Sequence, residues 1–187
     1  MYVRIQTGPT PCGELAAAFA PGTRHSQVIG GSGPAFAERY ALRGPAGDCV
    51  VTVRPGGPDP VDADRAGADL LYEVVADGAP ERVTGGAGVA AVLWFDGPIH
   101  PVRLALLRRA FTERILRAVP TAPGLVRCLV GWHAGTRSLV EVMLATSVEA
   151  IDAAGATVNA PFDGAPFEAE PCGPDRLEPF VVVAQSR

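Results

Sequence analysis

One acidic and one basic residue interrupt two predicted strands that are otherwise almost entirely apolar. Glu141 lies within the run 139–145, and Arg127 lies within the run 125–132 that precedes it. Because side chains alternate between the two faces of a strand, Met143 shares a face with Glu141. A hairpin between the two runs would place Arg127 across from Glu141 or diagonal to it.

This pair of opposite charges has two interpretations. The structural one is a cross-strand ion pair at the rim of a sheet, because opposite charges commonly pair across neighbouring strands. The catalytic one is a partly buried carboxylate whose pKa is set by burial and by the neighbouring arginine, suited to proton transfer or to orienting a polar ligand group. Under the second interpretation Glu141 and Arg127 are the predicted catalytic residues.

The same alternation collects a second polar set in the first half of the chain. Its members, all predicted to bind ligand, are Glu38, Tyr40, Thr52 and Arg54. Two facing polar sets would line a cavity of mixed polarity, with Met143 beside Glu141. Trp94 is a further ligand-binding candidate, although large aromatic side chains more often fill cores.

Metal-ligand patterns do not accompany these residues. His25, His100 and His133 lie far apart in predicted loops and helix starts. The four cysteines form no C-x-x-C pair, and two of them, Cys49 and Cys128, fall within predicted strands. We therefore expect no metal, no organic cofactor and reduced thiols.

Composition narrows the classes of partner. The chain has 187 residues and a net charge of −4, which gives no reason to expect nucleic acid or an anionic membrane surface. No apolar run approaches the roughly 20 residues that a bilayer requires, and no charged-then-apolar leader opens the chain. A soluble cytoplasmic protein is the expectation.

The second half carries the clearest secondary-structure pattern. Apolar runs predict strands, and an amphipathic stripe that follows a proline predicts a helix. The predicted elements are a strand at 89–95, a helix at 101–119, strands at 125–132 and 139–145, a helix opening at Thr146-x-x-Glu149, and a strand at 177–184. In the first helix, the buried stripe is Leu104, Leu107, Phe111 and Ile115. This order is the βαββαβ of a ferredoxin-like half.

An internal repeat extends this pattern to the first half. Gly8-Pro9 and Gly97-Pro98 each end a predicted strand and lie 89 residues apart, and at that offset Val51 falls on Val140. We interpret 1–86 as a degenerate ferredoxin-like half and 87–187 as a complete one. The first half lacks its second helix, because the proline- and glycine-rich run 55–60 occupies that place.

Two such halves predict an α+β fold. Each sheet has helices on one face only, so its other face would expose a broad apolar surface. We therefore expect two ferredoxin-like βαββαβ halves packed sheet to sheet as an intramolecular α+β barrel.

Four segments of the second half carry a family resemblance. They are Trp94-Phe95-Asp96-Gly97-Pro98, Pro123-Gly124-Leu125-Val126, Ala145-Thr146-Ser147-x-Glu149-Ala150 and Gly173-Pro174-Asp175-Arg176. In these segments the chain resembles the dimeric α+β barrel proteins grouped as antibiotic-biosynthesis-monooxygenase-like. The resemblance implies a small apolar or aromatic ligand held between the sheets. It also implies a cofactor-independent oxygenase, cyclase or isomerase acting on an aromatic or polyketide-like metabolite.

The chain departs from that family at its oxygenase positions. Where oxygenase members carry Asn, Trp and Tyr, this chain has Glu141, Ala145 and Ile151. Our leading hypothesis is a small-molecule-binding barrel with its ligand between the halves and catalysis through Glu141 and Arg127. The alternative is a non-catalytic interaction or dimerisation module that uses the sheet surface left uncovered by the missing helix. The first predicts a monomeric pseudo-dimer, and the second predicts a homodimer.

Overall fold

Eight antiparallel strands close into a barrel at the centre of the molecule. The computed structural model describes residues 1–8, 38–56, 69–80, 85–159 and 173–186. The strands are β1 (Tyr2–Gly8), β2 (Glu38–Gly44), β3 (Gly47–Arg54), β4 (Asp69–Gly78), β5 (Val89–Phe95), β6 (Leu125–His133), β7 (Ser138–Ala145) and β8 (Arg176–Ser186). The helices are α1 (Pro101–Ala110) and α2 (Val148–Asn159).

The strand order divides the barrel into two sheets of the same design. The first four strands run β2-β3-β1-β4, and the last four run β6-β7-β5-β8. The barrel closes where β8 pairs with β2 and β4 pairs with β6. This confirms the predicted fold class, an α+β protein whose two ferredoxin-like sheets form an intramolecular barrel. The assignment of 1–86 and 87–187 to a degenerate and a complete half remains a prediction, because 9–37 and 57–68 lie outside the described residues.

Apolar side chains fill the centre of the barrel. Every strand turns alternate residues inward, and among the largest that are fully buried are Ile5, Tyr40, Tyr72 and Leu129. An eight-stranded barrel has an interior just wide enough for side chains to fill. The expectation of a ligand between the two sheets stays a prediction. A cavity of about 460 Å³ opens at one end of the barrel, where Ile5, Cys49, Trp94 and Phe180 of the two sheets line it.

Local capping explains where α1 begins. His100 precedes it in an extended conformation and accepts a hydrogen bond at Nδ1 from the Val102 N–H (3.3 Å), and Pro101 occupies the first turn, where no amide donor is needed. The helix continues through a π-helical turn (Phe111–Ile115), a short α-helical segment (Leu116–Ala118) and a 3-10 turn (Val119–Thr121).

The second helix is capped one residue later than the sequence predicts. Ser147 Oγ accepts the Ala150 N–H at 3.3 Å, so Ser147, rather than Thr146, caps α2. Both helices pack on the outer face of the second sheet through two apolar clusters. Among the described residues, no helix combines the length and apolarity needed to cross a bilayer.

Charged residues join the two sheets at one end of the barrel. Arg127 of β6 donates from Nε and Nη2 to the two carboxylate oxygens of Asp77 on β4, both at 2.9 Å, and from Nη1 to Glu38 Oε2 on β2 at 2.5 Å. Tyr40 OH donates to the same Glu38 oxygen at 2.6 Å. The side chain of Arg127 is only 13% exposed, so these contacts are largely shielded from water.

Replacement of Arg127 by alanine would leave two partly buried carboxylates without their shared cation. We expect a loss of unfolding free energy of about 2 kcal/mol, below the value for a fully buried pair because both carboxylates keep some solvent contact. Urea denaturation measures the change. The matched control is Arg109→Ala, which removes the solvent-exposed Arg109–Glu113 pair of 2.9 Å and should change stability very little. Equal effects of the two substitutions would contradict a closing role for Arg127.

Candidate functional site

A cavity of about 290 Å³ lies between the outer face of the second sheet and the two helices. Strands β5, β6 and β7 form its floor, and residues of α1, of the turns that follow it and of α2 form its roof. Its walls are predominantly apolar. They include Leu93, Phe95, Leu107, Phe111, Ile115 and Met143.

Two polar side chains face this cavity from neighbouring strands. Glu141 of β7 is 4% exposed and Cys128 of β6 is 1% exposed. The Cys128 thiol donates a hydrogen bond to Glu141 Oε1, with 3.4 Å between sulfur and oxygen. Val140 and Val142 point into the barrel, so alternation turns Glu141 outward, toward the helices. The described cavity lining therefore contains a single carboxylate with a thiol as its neighbour.

Burial controls the protonation of both groups. Removal from water raises the pKa of Glu141 to about 7, and the hydrogen bond from Cys128 opposes this rise in part. Burial likewise raises the pKa of Cys128 well above its usual value, and the charge of Glu141 and its hydrogen bond to the thiol raise it further. Near neutral pH the carboxyl group therefore exists in both charge states while the thiol stays protonated. Such a carboxyl group can accept or donate a proton.

Arg127 does not pair with Glu141, contrary to the predicted juxtaposition. A register shift between Leu125 and Arg127 breaks the regular alternation of β6. The shift places Val130 opposite Glu141 and leaves Arg127 in the network with Asp77 and Glu38. The described cavity lining contains no cation to lower the pKa of Glu141.

The four predicted ligand-binding residues of the first half do not share one face. Tyr40 lies opposite Val51 in the β2–β3 ladder, so both point into the barrel, and Glu38 lies at the barrel end beside Arg127. Thr52 and Arg54 belong to the other face of β3. The prediction that these four residues line one mixed cavity is therefore wrong. The observed register puts Glu38 and Tyr40 on the inner face of the sheet, and Thr52 and Arg54 on its outer face.

Trp94 and Met143 lie on opposite faces of the second sheet. Met143 lines the cavity with Glu141, whereas Trp94 is 6% exposed and points inward near one mouth of the barrel. There, the Arg176 guanidinium carbon lies 5.1 Å from a ring centroid of Trp94, a cation–π geometry. Trp94 Nε1 has no hydrogen-bond acceptor among the described residues. Binding of ligand by either residue remains a prediction.

Sequence reasoning missed part of this site. Leu107, Phe111 and Ile115 form the predicted buried stripe of α1 and its π-helical turn, and they cover the cavity that contains Glu141. Cys128 was assigned only to a strand, with no role at the site. The sequence did contain one signal for this site. Glu141 lies on a predicted strand, and the apolar stripe of the helix must pack on the sheet that contains that strand. Within the described ranges, no three His, Cys, Asp or Glu side chains converge as a metal site requires.

Comparison with known proteins gives matches to solved structures alone, since no protein-family model and no curated protein sequence matches the chain. A heme-degrading enzyme from Listeria monocytogenes superposes with a TM-score of 0.56 at 11% identity, covering 97% of this chain and 99% of the other. A ferredoxin-fold protein related to antibiotic biosynthesis monooxygenases, also from Listeria monocytogenes, gives 0.56 at 12% identity, covering 97% and 93%.

A third structure, an anthrone oxidase-like protein, superposes with a TM-score of 0.54 at 12% identity, covering 99% of this chain and 91% of the other. These likenesses extend over nearly the full length of both chains, including the first half. At such low identity they show the fold. The chain thus has the ferredoxin-like α+β barrel fold of proteins related to antibiotic biosynthesis monooxygenases.

Proposed function

We propose that the protein binds a small, largely apolar metabolite between its second sheet and its helices, and that Glu141 acts there as a general base. The observation that carries this proposal is a fully buried carboxyl group with a pKa of about 7 in an otherwise apolar cavity. A base with a pKa near the working pH is best suited to proton transfer.

The walls of the cavity indicate the class of ligand. Its volume of about 290 Å³ lies just below the range of roughly 300–1,000 Å³ for small-molecule sites, so the ligand must be small. The described lining has no arginine, lysine or histidine, so an anionic ligand would lose its hydration without gaining a partner. Haem does not fit this lining, which offers no imidazole to the iron and no cation to the propionates. A neutral aromatic or polyketide-like molecule with one acidic proton fits it well.

Ionised Glu141 would take that proton from a carbon next to a carbonyl group or from a phenolic oxygen. The transfer leaves a neutral carboxylic acid on Glu141 and a negative charge on the ligand, so it suits a ligand whose anion spreads that charge over a conjugated system rather than holding it on one atom. The Cys128 thiol, donating to Oε1, holds the carboxyl group in place. The ligand anion formed could be reprotonated at another carbon, attack its own carbonyl group, or react with O₂. These outcomes are isomerase, cyclase and oxygenase reactions, and the likeness to an anthrone oxidase-like protein supports the last.

The ionisation of Glu141 can be tested without a substrate. Its pKa is 4.5 when exposed and about 7 in the folded protein, so between these values the folded state binds more protons than the unfolded state. Stability should therefore fall as pH rises from 4.5 to 7, by an amount on the order of 3 kcal/mol. In Glu141→Gln this loss should disappear, making the variant more stable than the wild type at pH 8 but not at pH 4.5.

Urea denaturation across this pH range measures the effect. Glu113→Gln, on the exposed side of the helical segment, is the matched control and should leave the pH dependence of the wild type unchanged. A Glu141→Gln variant with the same pH dependence as the wild type would show that Glu141 does not titrate in this range.

Ligand capture tests the cavity. Native mass spectrometry and absorption spectroscopy of freshly purified protein should detect a bound neutral molecule. Ala154→Phe places a ring into the cavity, since Ala154 is buried in its wall, and should abolish retention. Ala105→Phe, at an exposed position of α1, should retain the ligand. Equal retention by both variants would place the ligand elsewhere, and a stable dimer without ligand would favour the non-catalytic module.

Turnover of the captured ligand, or of compounds related to it, tests the base. Glu141→Gln should lower kcat by roughly 100-fold or more while leaving binding nearly unchanged, because the amide cannot accept the proton. In the wild type, kcat should rise with pH and level off above about 7, as the carboxylate becomes ionised. Unchanged turnover in Glu141→Gln would remove this residue from the mechanism.

A further inference from the structure

The two ends of the barrel are built differently. At one end, Arg127, Glu38 and Asp77 join the two sheets through charged hydrogen bonds. The cavity of about 460 Å³ opens at the other end, and we call it the barrel-mouth cavity. Its lining comes from both sheets, so a molecule held there would contact both halves of the chain.

The lengths of two neighbouring strands explain this opening. The ladder between β2 and β8 begins at the pair Arg43 and Val181, whereas β8 begins at Arg176 and pairs with β5 from that residue onward. The first residues of β8 therefore extend past the end of β2. Arg176 and Glu178 lie opposite the inward-facing residues of β5, so alternation turns them toward the cavity that they line.

The buried wall of the barrel-mouth cavity contains an unused hydrogen-bond donor. Trp94 lines the cavity, and its indole N–H is shielded from water without an acceptor among the described residues. A buried donor without a partner costs roughly 1–3 kcal/mol, and few native donors are left so. An acceptor atom of a ligand placed against the indole would recover this free energy.

The charged groups at the rim of the cavity are already paired within the chain. Glu178 accepts a hydrogen bond from Arg176 at 3.0 Å, and Asp48 lies 3.8 Å from the Arg43 guanidinium group. Cys49 adds no charge, because burial and the nearby charge of Glu178 raise the pKa of its thiol to about 12. A charged ligand would lose hydration here without meeting an unpaired counter-charge among these groups, which favours an uncharged one.

Two aromatic side chains form the part of the wall that belongs to the second sheet. The ring of Phe180 packs on Gly44, where an added β-carbon would lie 2.7 Å from a ring carbon, so this close approach holds the ring in place. Arg176 covers one ring of the Trp94 indole. The Arg176 side chain is 52% exposed and its ion pairs are therefore weak, so a ligand can displace it from the indole at little cost.

We propose that the barrel-mouth cavity is a second binding site, which holds a small uncharged molecule with an apolar body and a carbonyl oxygen that accepts the indole N–H of Trp94. The cavity volume of about 460 Å³ lies within the range of roughly 300–1,000 Å³ for small-molecule sites. The site lies at the inner faces of the sheets, whereas the Glu141 cavity lies on an outer face. It therefore does not depend on the function proposed for Glu141.

The indole N–H signal of Trp94 tests the proposal directly. The chain has two tryptophans, so a proton–nitrogen correlation spectrum of the full-length protein contains two indole signals, and Trp132→Phe identifies the one from Trp94. Titration with α-tetralone or coumarin should shift the Trp94 signal downfield in a saturable manner and leave the Trp132 signal in place. Tetralin, which has the rings of α-tetralone without the carbonyl group, should bind about tenfold more weakly or worse and cause no downfield shift.

Variants separate this site from the Glu141 cavity. Ala154→Phe, which fills the Glu141 cavity, should leave the shift and the affinity for α-tetralone unchanged. Trp94→Phe should raise the calorimetric dissociation constant about tenfold, because it removes the donor, and the matched control Trp132→Phe, in the wall of a different cavity, should not.

The wild-type spectrum keeps the proposal testable even where Trp94→Phe fails to fold. Three results would overturn it. These are the lack of a saturable Trp94 shift with both carbonyl compounds, equal affinity for tetralin and α-tetralone, and loss of binding in Ala154→Phe, which would place the probe in the Glu141 cavity instead.

Discussion

Closure of the barrel decides where this protein can hold a ligand. Once β8 pairs with β2 and β4 pairs with β6, the inner faces of both sheets meet and their side chains pack together. In this barrel, a continuous cluster of buried apolar side chains occupies the centre. Space for a small molecule then lies at an end of the barrel or on an outer face, and the described cavity beneath α1 and α2 is of the second kind.

The same closure explains the contrasting environments of two charged residues. Arg127 lies at the barrel end, where carboxylates from two strands of the first sheet can reach it, and its charge is compensated. Glu141 lies between two apolar layers, and of the described side chains that line its cavity a thiol reaches it and no cation does. The first arrangement contributes to stability. The second costs stability at neutral pH, and such a cost is typical of groups whose reactivity is used.

Much of the architecture could be predicted from the sequence. The strands and the first helix follow from apolar runs and from the spacing of Leu107, Phe111 and Ile115, and closure follows from the need to cover two apolar faces. The direction of Glu141 could not be predicted, because β7 is apolar on both faces and alternation does not tell inside from outside.

The position of Arg127 depends on a one-residue register shift in β6, for which an isolated strand pattern carries no signal. The grouping of Tyr40 with Thr52 failed for a related reason. Which residues of two strands face each other depends on the length and geometry of the β2–β3 turn, and the observed register pairs Tyr40 with Val51. The predicted site therefore differs from the observed one because the alignment of neighbouring strands could not be predicted, although the strands themselves could.

The π-helical turn at Phe111–Ile115 gives the helical roof of the cavity its shape. In a regular α-helix, a residue and the fourth residue after it differ in direction by about 40° around the helix axis. Side chains at successive positions four apart therefore turn progressively away from the sheet that the first of them contacts. A wider turn with i→i+5 hydrogen bonds slows this rotation and keeps Phe111 and Ile115 above the same floor. Loss of one residue within the turn would tighten the coil and rotate Val119 and Ala122, which also line the cavity, relative to Leu107. Homologous chains that differ in length at this turn would therefore enclose cavities of different shape on the same barrel.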